Sequence, residues 1–317
     1  MRRDLSHIRR IDIEIQSYCN RKCDWCPNKF LDRTFKEEMS DNTYSTLLKQ
    51  LKEANFGDSK LFHPVKNSEE LLIGDTAILS FLGYQEPFSN IELLRKRLNE
   101  ARNIFDHKMC FVTNTNGDYL SKEALKDLLM TNISIQDYDC KGVDYWRNKF
   151  KELGVLEIDF DNKRQILYGI SRYAESITVT LDWIDNMELE NRGGSLNKDD
   201  MPDYKWKKDM QPRTYPCTEP EYFMNIAYDG SVMPCCHLRP DNPNHKEYIL
   251  GNIKDNNIVD IYYSKKAEDF REKLRYENGD YPEPCKHCHK YRAEDCIGSP
   301  SGWSYFYRNG KQVAIKR

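Results

Sequence analysis

Cys19, Cys23 and Cys26 lie within eight residues, inside the stretch SYCNRKCDWCPNKF that runs from Ser17 to Phe30. Two such thiols would suit a redox pair, and four would close a zinc knuckle. Three thiolates hold three irons of a [4Fe–4S] cubane and leave the fourth iron open to another ligand. Further along, Cys217 and Cys235 flank Gly230, and Cys285 and Cys288 form a Cys-x-x-Cys pair. Those four thiolates can close all the corners of one site, whether that site is a second cubane or the zinc of a zinc ribbon.

The rest of the composition is ordinary. The chain has 317 residues, enough for one large core or a core plus a smaller module, and a formal net charge of −3. That near-balance gives no electrostatic case for general nucleic-acid binding, and the basic opening MRRDLSHIRR reads as a solvated terminus. No apolar run reaches the length of a membrane span, and no signal peptide opens the chain, so the expected location is the cytoplasm. Eleven cysteines then need a reducing-compartment explanation, metal binding or chemistry rather than disulfides. They are uneven: three at the start, six from Cys217 to Cys296, and Cys110 and Cys140 alone between.

The elements that must position these thiols read as alternating strands and helices. RIDIEIQSY (Arg10 to Tyr18) alternates as a strand and delivers the first cysteine loop at its C-terminal end. A helix capped by Ser40 or Asp41 follows. AILSFLGY is a second strand, NIELLRKRLNEARNIF an amphipathic helix, MCFVTNTNG a third strand and SKEALKDLLM a helix begun by Ser121. NISIQDY, GVLEIDF and SITVTLDWI complete about six β–α units, with a helix from Asp144 to Leu153, while DNKRQILYGISRY is ambiguous between strand and loop. Such units imply a parallel sheet, open or wrapped as a partial (β/α)6 barrel, with its active site at the C-terminal strand ends. Gly57 to Gly74 reads as an insertion. Three parts result: a barrel core over 1–189, a linker over 190–216 that loses periodicity, and a cysteine-rich module with a tail over 217–317. In that module YFMNIAYDGSVMPC is a hairpin turning at Asp229-Gly230, and the tail is a second hairpin turning at Asn309-Gly310.

The first loop resembles the radical S-adenosylmethionine (radical SAM) family, whose signature is CxxxCxxC with an aromatic residue before the last cysteine, here Trp25 before Cys26. The resemblance implies that the open iron chelates SAM, and that reductive cleavage yields a 5′-deoxyadenosyl radical able to abstract hydrogen from an unactivated carbon. It also implies an external electron donor. Glu86-Pro87 matches the end of the family's Gly-Gly-Glu-Pro-like motif, where the glutamate binds the SAM amino group, although Tyr84-Gln85 replaces the second glycine. Asn114, in the turn that ends the third strand, and Ser134, at a ribose position on the fourth, are further SAM contacts by resemblance. Each also reads as an ordinary turn or strand residue. Asn191 and Arg192 fit a family turn facing the SAM or substrate cavity, where the arginine could grip a carboxylate.

From Cys217 onward the chain resembles the SPASM/twitch extension of these enzymes. With only Cys296 after the Cys-x-x-Cys, the resemblance is to the shorter twitch form, with one auxiliary [4Fe–4S] cluster on Cys217, Cys235, Cys285 and Cys288. Cys236 and Cys296 stay unassigned, as buried thiols or as hydrogen-atom donors to a substrate radical. His237, His287 and His289 read as polar surface residues.

The resemblance leaves two substrate classes. One is a ribosomally made precursor peptide matured at an unactivated carbon, as in the splicease type of twitch enzyme. The first strand begins too early for a fused leader-recognition domain, so this reading calls for a separate leader-binding partner. It is the reading the sequence leans towards. The other is a small molecule, dehydrogenated or epimerised in sugar or antibiotic biosynthesis. A non-enzymatic zinc or iron–sulfur module is the third reading, and it leaves the open three-thiol loop unexplained.

Overall fold

The computed structural model describes residues 4–58, 77–105, 109–181, 188–206, 212–214, 216–277 and 279–288, and the backbone of 71–72, 303–308 and 311–316. In chain order its elements are β1 (Arg10–Ile13), α1 (Asp41–Glu53), β2 (Leu71–Leu72), β3 (Ile78–Phe81), α2 (Ile91–Phe105), β4 (Cys110–Thr115), α3 (Lys122–Leu125), β5 (Met130–Gln136) and α4 (Gly142–Leu153). There follow β6 (Leu156–Asp161), β7 (Ile166–Ser171), β8 (Ala174–Thr180), α5 (Glu219–Tyr222), β9 (Phe223–Ile226), β10 (Ser231–Met233), β11 (Gly251–Asn252), α6 (Ile258–Tyr262), α7 (Lys265–Glu272), β12 (Trp303–Arg308) and β13 (Lys311–Lys316).

Ten strands form one mixed sheet in the order β11-β10-β9-β1-β3-β4-β5-β8-β7-β6. The run from β9 to β8 is parallel throughout, each step closed by a crossover as the β–α pattern requires. Its membership differs from the sequence expectation. GVLEIDF is β6, which pairs antiparallel with β7 at the sheet edge. The link between them is too short for a crossover, so it can only turn the chain back. The ambiguous DNKRQILYGISRY supplies that turn and β7. The place in the parallel run is taken by β9, from beyond residue 217, which pairs with β1 from Arg10↔Phe223 to Ile13↔Ile226.

The helix caps follow the sequence closely. Ser40 Oγ accepts from the Thr43 amide and Ser121 Oγ from the Ala124 amide. The second helix, α3, is much shorter than its periodicity suggests. Asp127 (φ 58°) and Leu129 (φ 48°) turn the chain left-handed straight into β5. The hairpin at Asp229-Gly230 forms as expected, with Val232 opposite Ile226 and Gly230 at φ 87°. In the tail, β12 and β13 pair antiparallel and β13 takes β2 as a parallel neighbour; the expected turn at Asn309-Gly310 and most of the expected insertion lie outside the described residues.

The two faces of the parallel run differ in chemistry. Ile11, Ile13, Leu79, Phe111, Ile133, Ile135, Ile177 and Val179 are buried in one apolar core with Leu47 and Leu51 of α1, Leu94 and Leu98 of α2 and Phe150 of α4. Towards the C-terminal strand ends the alternate residues include Arg10, Asp12, Ser80, Asn114, Ser134, Gln136, Thr178 and Thr180. Parallel strands covered on both faces are normally apolar throughout. Here the second face is polar because it encloses a cavity. Among the described residues no helix is long and apolar enough to cross a membrane.

Candidate active site

β1 ends at Ile13 and hands the chain to the first cysteine loop. The loop is pinned by backbone bonds from the Cys19 amide to Arg33 O (3.0 Å) and from the Cys26 amide to Cys23 O (3.0 Å). Cys26 opens a short 3-10 turn at Pro27–Lys29. Arg21, between the first two cysteines, reaches across the strand ends to Asp118 (Nε–Oδ2, 2.7 Å) and Asp139 (Nη2–Oδ2, 2.8 Å). Burial pushes the Cys19 thiol up to about 11 and Cys23 up to about 12, and each is raised further by neighbouring anionic groups, Cys26 among them. Mutual repulsion of gathered thiolates is what a bound cationic cluster would relieve.

These thiols open on a cavity of about 710 Å³ at the C-terminal ends of the strands. It is lined by all three of them together with Trp25, Glu86, Asn114, Ser134, Arg192 and Cys236. Trp25 packs against Tyr138, another wall residue, with ring centroids 5.5 Å apart and the planes tilted by 47°. Glu86 is buried, its Oε1 accepting from Thr115 Oγ1 (2.7 Å) and its Oε2 from the Asn116 amide (2.8 Å). Burial nevertheless raises its carboxyl to about 7. Asn191 stands behind the wall as a turn-former: its Oδ1 accepts from the Gly193 amide (3.2 Å), and Arg192, Gly193 and Gly194 all take positive φ. Cys296 lies outside the described residues.

The replaced glycine of the Glu-Pro motif has a structural counterpart. Gln85 Oε1 accepts from the amides of Ile15 (3.0 Å) and Gln16 (3.2 Å), and its Nε2 donates to Ile13 O (2.9 Å) and Leu82 O (2.8 Å). One side chain thus ties the end of β1 to the end of β3. Gly83 (φ 110°) is fixed by its neighbour: a Cβ there would meet the Glu14 side chain at 2.5 Å. Glu14 in turn accepts from the Tyr84 amide (2.6 Å) and pairs with Arg33 (3.2 Å).

Sequence reasoning passed over several cavity residues, among them Arg10, Asp12, Gln136 and Thr180. Arg10 grips Asp12 through two hydrogen bonds (2.6 and 2.8 Å), and Ser80 also donates to Asp12. Gln136 Oε1 is buried with no hydrogen-bond partner among the described residues. The available signal was the polar alternation Arg10-Asp12, Asn132-Ser134-Gln136 and Ser176-Thr178-Thr180 on β1, β5 and β8.

The later cysteines gather elsewhere. Cys217, Cys235 and Cys285 pack against a small core of Met233, Leu238, Phe270, Leu274 and Tyr281. Cys288 joins them: its amide donates to Cys285 O (3.2 Å), and burial, with the charge of Cys288 added, raises the thiols of both Cys217 and Cys285. Arg213 is buried beside this group, donating to Cys288 O (3.0 Å) and Pro216 O (3.3 Å), and it opposes the rise. Cys235 and Cys236 part company, one in this core and the other on the cavity wall. His237 is no surface residue; it is 2% exposed. Among the described residues no three such side chains converge as a single-ion site would require. The fit therefore rests on the donor set: two groups of soft thiols, one of three at a cavity and one of four in a small core, suited to iron–sulfur clusters.

Residues 217–289 match the SPASM family, an iron–sulfur cluster-binding domain. The match spans Cys217, Cys235, Cys285 and Cys288 and ends before Cys296. Over 279 residues the chain is 27% identical to the S-adenosyl-L-methionine-dependent 2-deoxy-scyllo-inosamine dehydrogenase of Niallia circulans, covering 88% of this chain and 91% of that one. This chain is thus similar to a SAM-dependent dehydrogenase over most of its length and carries a SPASM-type region. The radical SAM fold is shared with the crystal structure of BtrN in complex with AdoMet and 2-DOIA, at a TM-score of 0.61 and 22% identity over 89% of this chain and 93% of that one. An open conformation of BtrN aligns at a TM-score of 0.54 and 19% identity, over 89% and 92%. The mixed α/β sheet, with the cysteine loop after its first strand, therefore has the fold of those structures.

Proposed function

We propose that this radical SAM homologue oxidises a small, polar, hydroxyl-bearing molecule. Cys19, Cys23 and Cys26 would hold the SAM-binding [4Fe–4S] cluster, and Cys217, Cys235, Cys285 and Cys288 the auxiliary one. When bound, these groups supply a 5′-deoxyadenosyl radical that takes a hydrogen atom from a carbinol carbon and an acceptor for the electron left behind, while the hydroxyl proton passes to a base on the cavity wall. The chain's own residues bind and orient. Glu86 would face the SAM ammonium, whose charge favours the ionised carboxylate. Asn114 and Ser134 offer polar contacts to its ribose, Trp25 packs at the last cluster cysteine, and Arg192 offers a carboxylate grip. The barrel core (1–189), the strap across its mouth (190–216) and the auxiliary module (217–317) divide these roles.

One observation carries the substrate class. The three-thiol loop opens on a cavity whose sheet side is lined by Asp12, Ser134, Gln136 and Thr180. A buried acceptor without a partner, Gln136 Oε1, costs about 1–3 kcal/mol unless a ligand donates to it. The cavity volume lies within the usual range for small-molecule sites. The dehydrogenase relative supports the same class. No observation favours the precursor-peptide reading with its separate leader-binding partner.

The test is anaerobic turnover of the reconstituted protein with SAM, dithionite and aminocyclitols, 2-deoxy-scyllo-inosamine first. The expected result is about eight irons per chain, with 5′-deoxyadenosine and ketone formed in equal amounts. Replacing Cys19, Cys23 and Cys26 with alanine should abolish 5′-deoxyadenosine while the second cluster's absorbance persists. Reductive SAM cleavage by that variant would overturn the assignment.

A further inference from the structure

His237 lies between the later cysteine group and Arg192 of the cavity wall, and touches both. Its amide donates to Cys235 Sγ (3.4 Å), and its Nδ1 stands 3.7 Å from Cys288 Sγ. On its other edge Nε2 is 3.5 Å from Arg192 Nη1 and 3.3 Å from Glu190 Oε1. Arg192 lines the cavity. The turn after Arg192 closes directly on this residue: a Cβ on Gly193 would meet Leu238 at 3.0 Å and His237 O at 3.2 Å. Tyr84, from the cavity wall, donates its hydroxyl to the same carbonyl (3.4 Å). The backbone is thus held at its carbonyl and the ring at both of its nitrogens.

That orientation fixes where the hydrogen goes. A cysteine that ligates a cluster is a thiolate, and its sulfur can only accept. Nδ1 facing it must therefore carry a hydrogen. Nε2 is then satisfied whether it accepts from Arg192 or donates to Glu190, so the conclusion holds for either arrangement. Hydrogen bonds to cluster sulfurs are one of the levers that set reduction potential, and groups behind the ligands orient them.

We propose that His237 is a positioning residue for the auxiliary cluster: it donates an N–H···S hydrogen bond to Cys288, raises that cluster's reduction potential, and ties it through Arg192 to the substrate cavity. The inference rests on the functional reading above, which assigns a cluster to Cys288. Stabilising the added negative charge of the reduced cluster makes it a readier acceptor for the electron of a substrate radical.

The measurement is an EPR-monitored redox titration of the full chain carrying Cys19→Ala, Cys23→Ala and Cys26→Ala, so that only the auxiliary cluster reports. Adding His237→Phe should lower the reduced-to-oxidised ratio at a fixed poise about tenfold, the scale of one charge-assisted hydrogen bond, or about 59 mV for one electron. His237→Asn, which offers an amide N–H where Nδ1 stands, should recover most of the loss. If the Phe variant fails to load iron, pulsed EPR on the His237-containing protein labelled with ¹⁵N-histidine gives the answer. Coupling of an imidazole nitrogen to the reduced cluster is expected. A loaded Phe variant with an unchanged potential, or no imidazole coupling, overturns this inference alone. Absence of any cluster in the triple-alanine background overturns the functional reading and this inference with it.

Discussion

Glu86 shows how much one buried group can reveal. Burial raises its carboxyl from 4.5 to about 7 against the pull of three hydrogen bonds. Between those values the folded protein without cofactors holds a proton that the unfolded chain has released. Stability from this group is therefore full below about pH 4.5 and declines as pH rises to about 7. Glu86→Gln cannot ionise and should lose that slope. Urea unfolding at pH 5 and pH 7.5 should show the wild type losing up to about 3 kcal/mol relative to the variant. An equal difference at both pH values would mean Glu86 is ionised throughout. Gln85 gives a second residue-level expectation. Gln85→Ala strands two buried amides and two carbonyls, so it should cost about 2–4 kcal/mol and speed iron loss to a chelator. Wild-type stability and iron retention would reduce Gln85 to a spectator. The contrast between these neighbours explains what could be read from sequence. Cysteine spacing and Glu-Pro after a strand carry their chemistry locally. Gln85 acts on Ile15 and Gln16 some seventy residues away, and no local pattern encodes that partnership.

Elements were legible where a local rule fixed them. The Ser40 and Ser121 caps, the strand before the cysteine loop and the Asp229-Gly230 hairpin all follow from side chains acting within a few residues. The order of strands in the sheet was not legible. β6 and β9 both read as strands, yet one ends on an antiparallel edge and the other joins the parallel run beside β1. Connection length decided the first, and pairing across some two hundred residues the second. The hairpin that brings β9 to β1 depends on Gly230, whose φ of 87° and crowding by Asn252 Oδ1 at 2.8 Å exclude a side chain. Gly230→Ala should cost more than about 1 kcal/mol and loosen β9–β10. Hydrogen–deuterium exchange would read this as faster amide exchange at Val232 and Ile226 with β4 and β5 unchanged. Unchanged exchange in the hairpin would show that the turn tolerates a Cβ.

At the scale of the whole molecule, the cysteine-rich region is joined to the barrel by backbone and by charge. β9 covers the edge of β1, and Glu14 donates its amide to Ile226 O (2.9 Å). Behind this seam Arg33 bridges Glu14 (3.2 Å) and Asp241 (2.8 Å), while Arg239 grips Asp241 through both carboxylate oxygens (2.6 Å each) and reaches Asn28 (2.9 Å). Arg33 and Arg239 are 1% and 0% exposed, so neither guanidinium can fall back on water. The two arginines hold Asp241 down at about 2. Its contribution to stability is present above the ordinary carboxylate range and is lost only as pH falls through about 2. Removing one partner of such a set leaves a buried charge unmatched, which costs about 3–5 kcal/mol. Asp241→Asn should therefore destabilise the whole protein by that amount at pH 7, and the loss should be cooperative rather than confined to the C-terminal region. A polypeptide ending at residue 189 would lose Asp241 and Arg239 and bare the edge of β1, and it should melt well below the full chain or fail to fold. Thermal unfolding followed by circular dichroism decides the point. A 1–189 polypeptide that melts cooperatively at the full chain's temperature would show that the barrel stands alone, and that the buried arginines find other partners when the cysteine-rich region is gone.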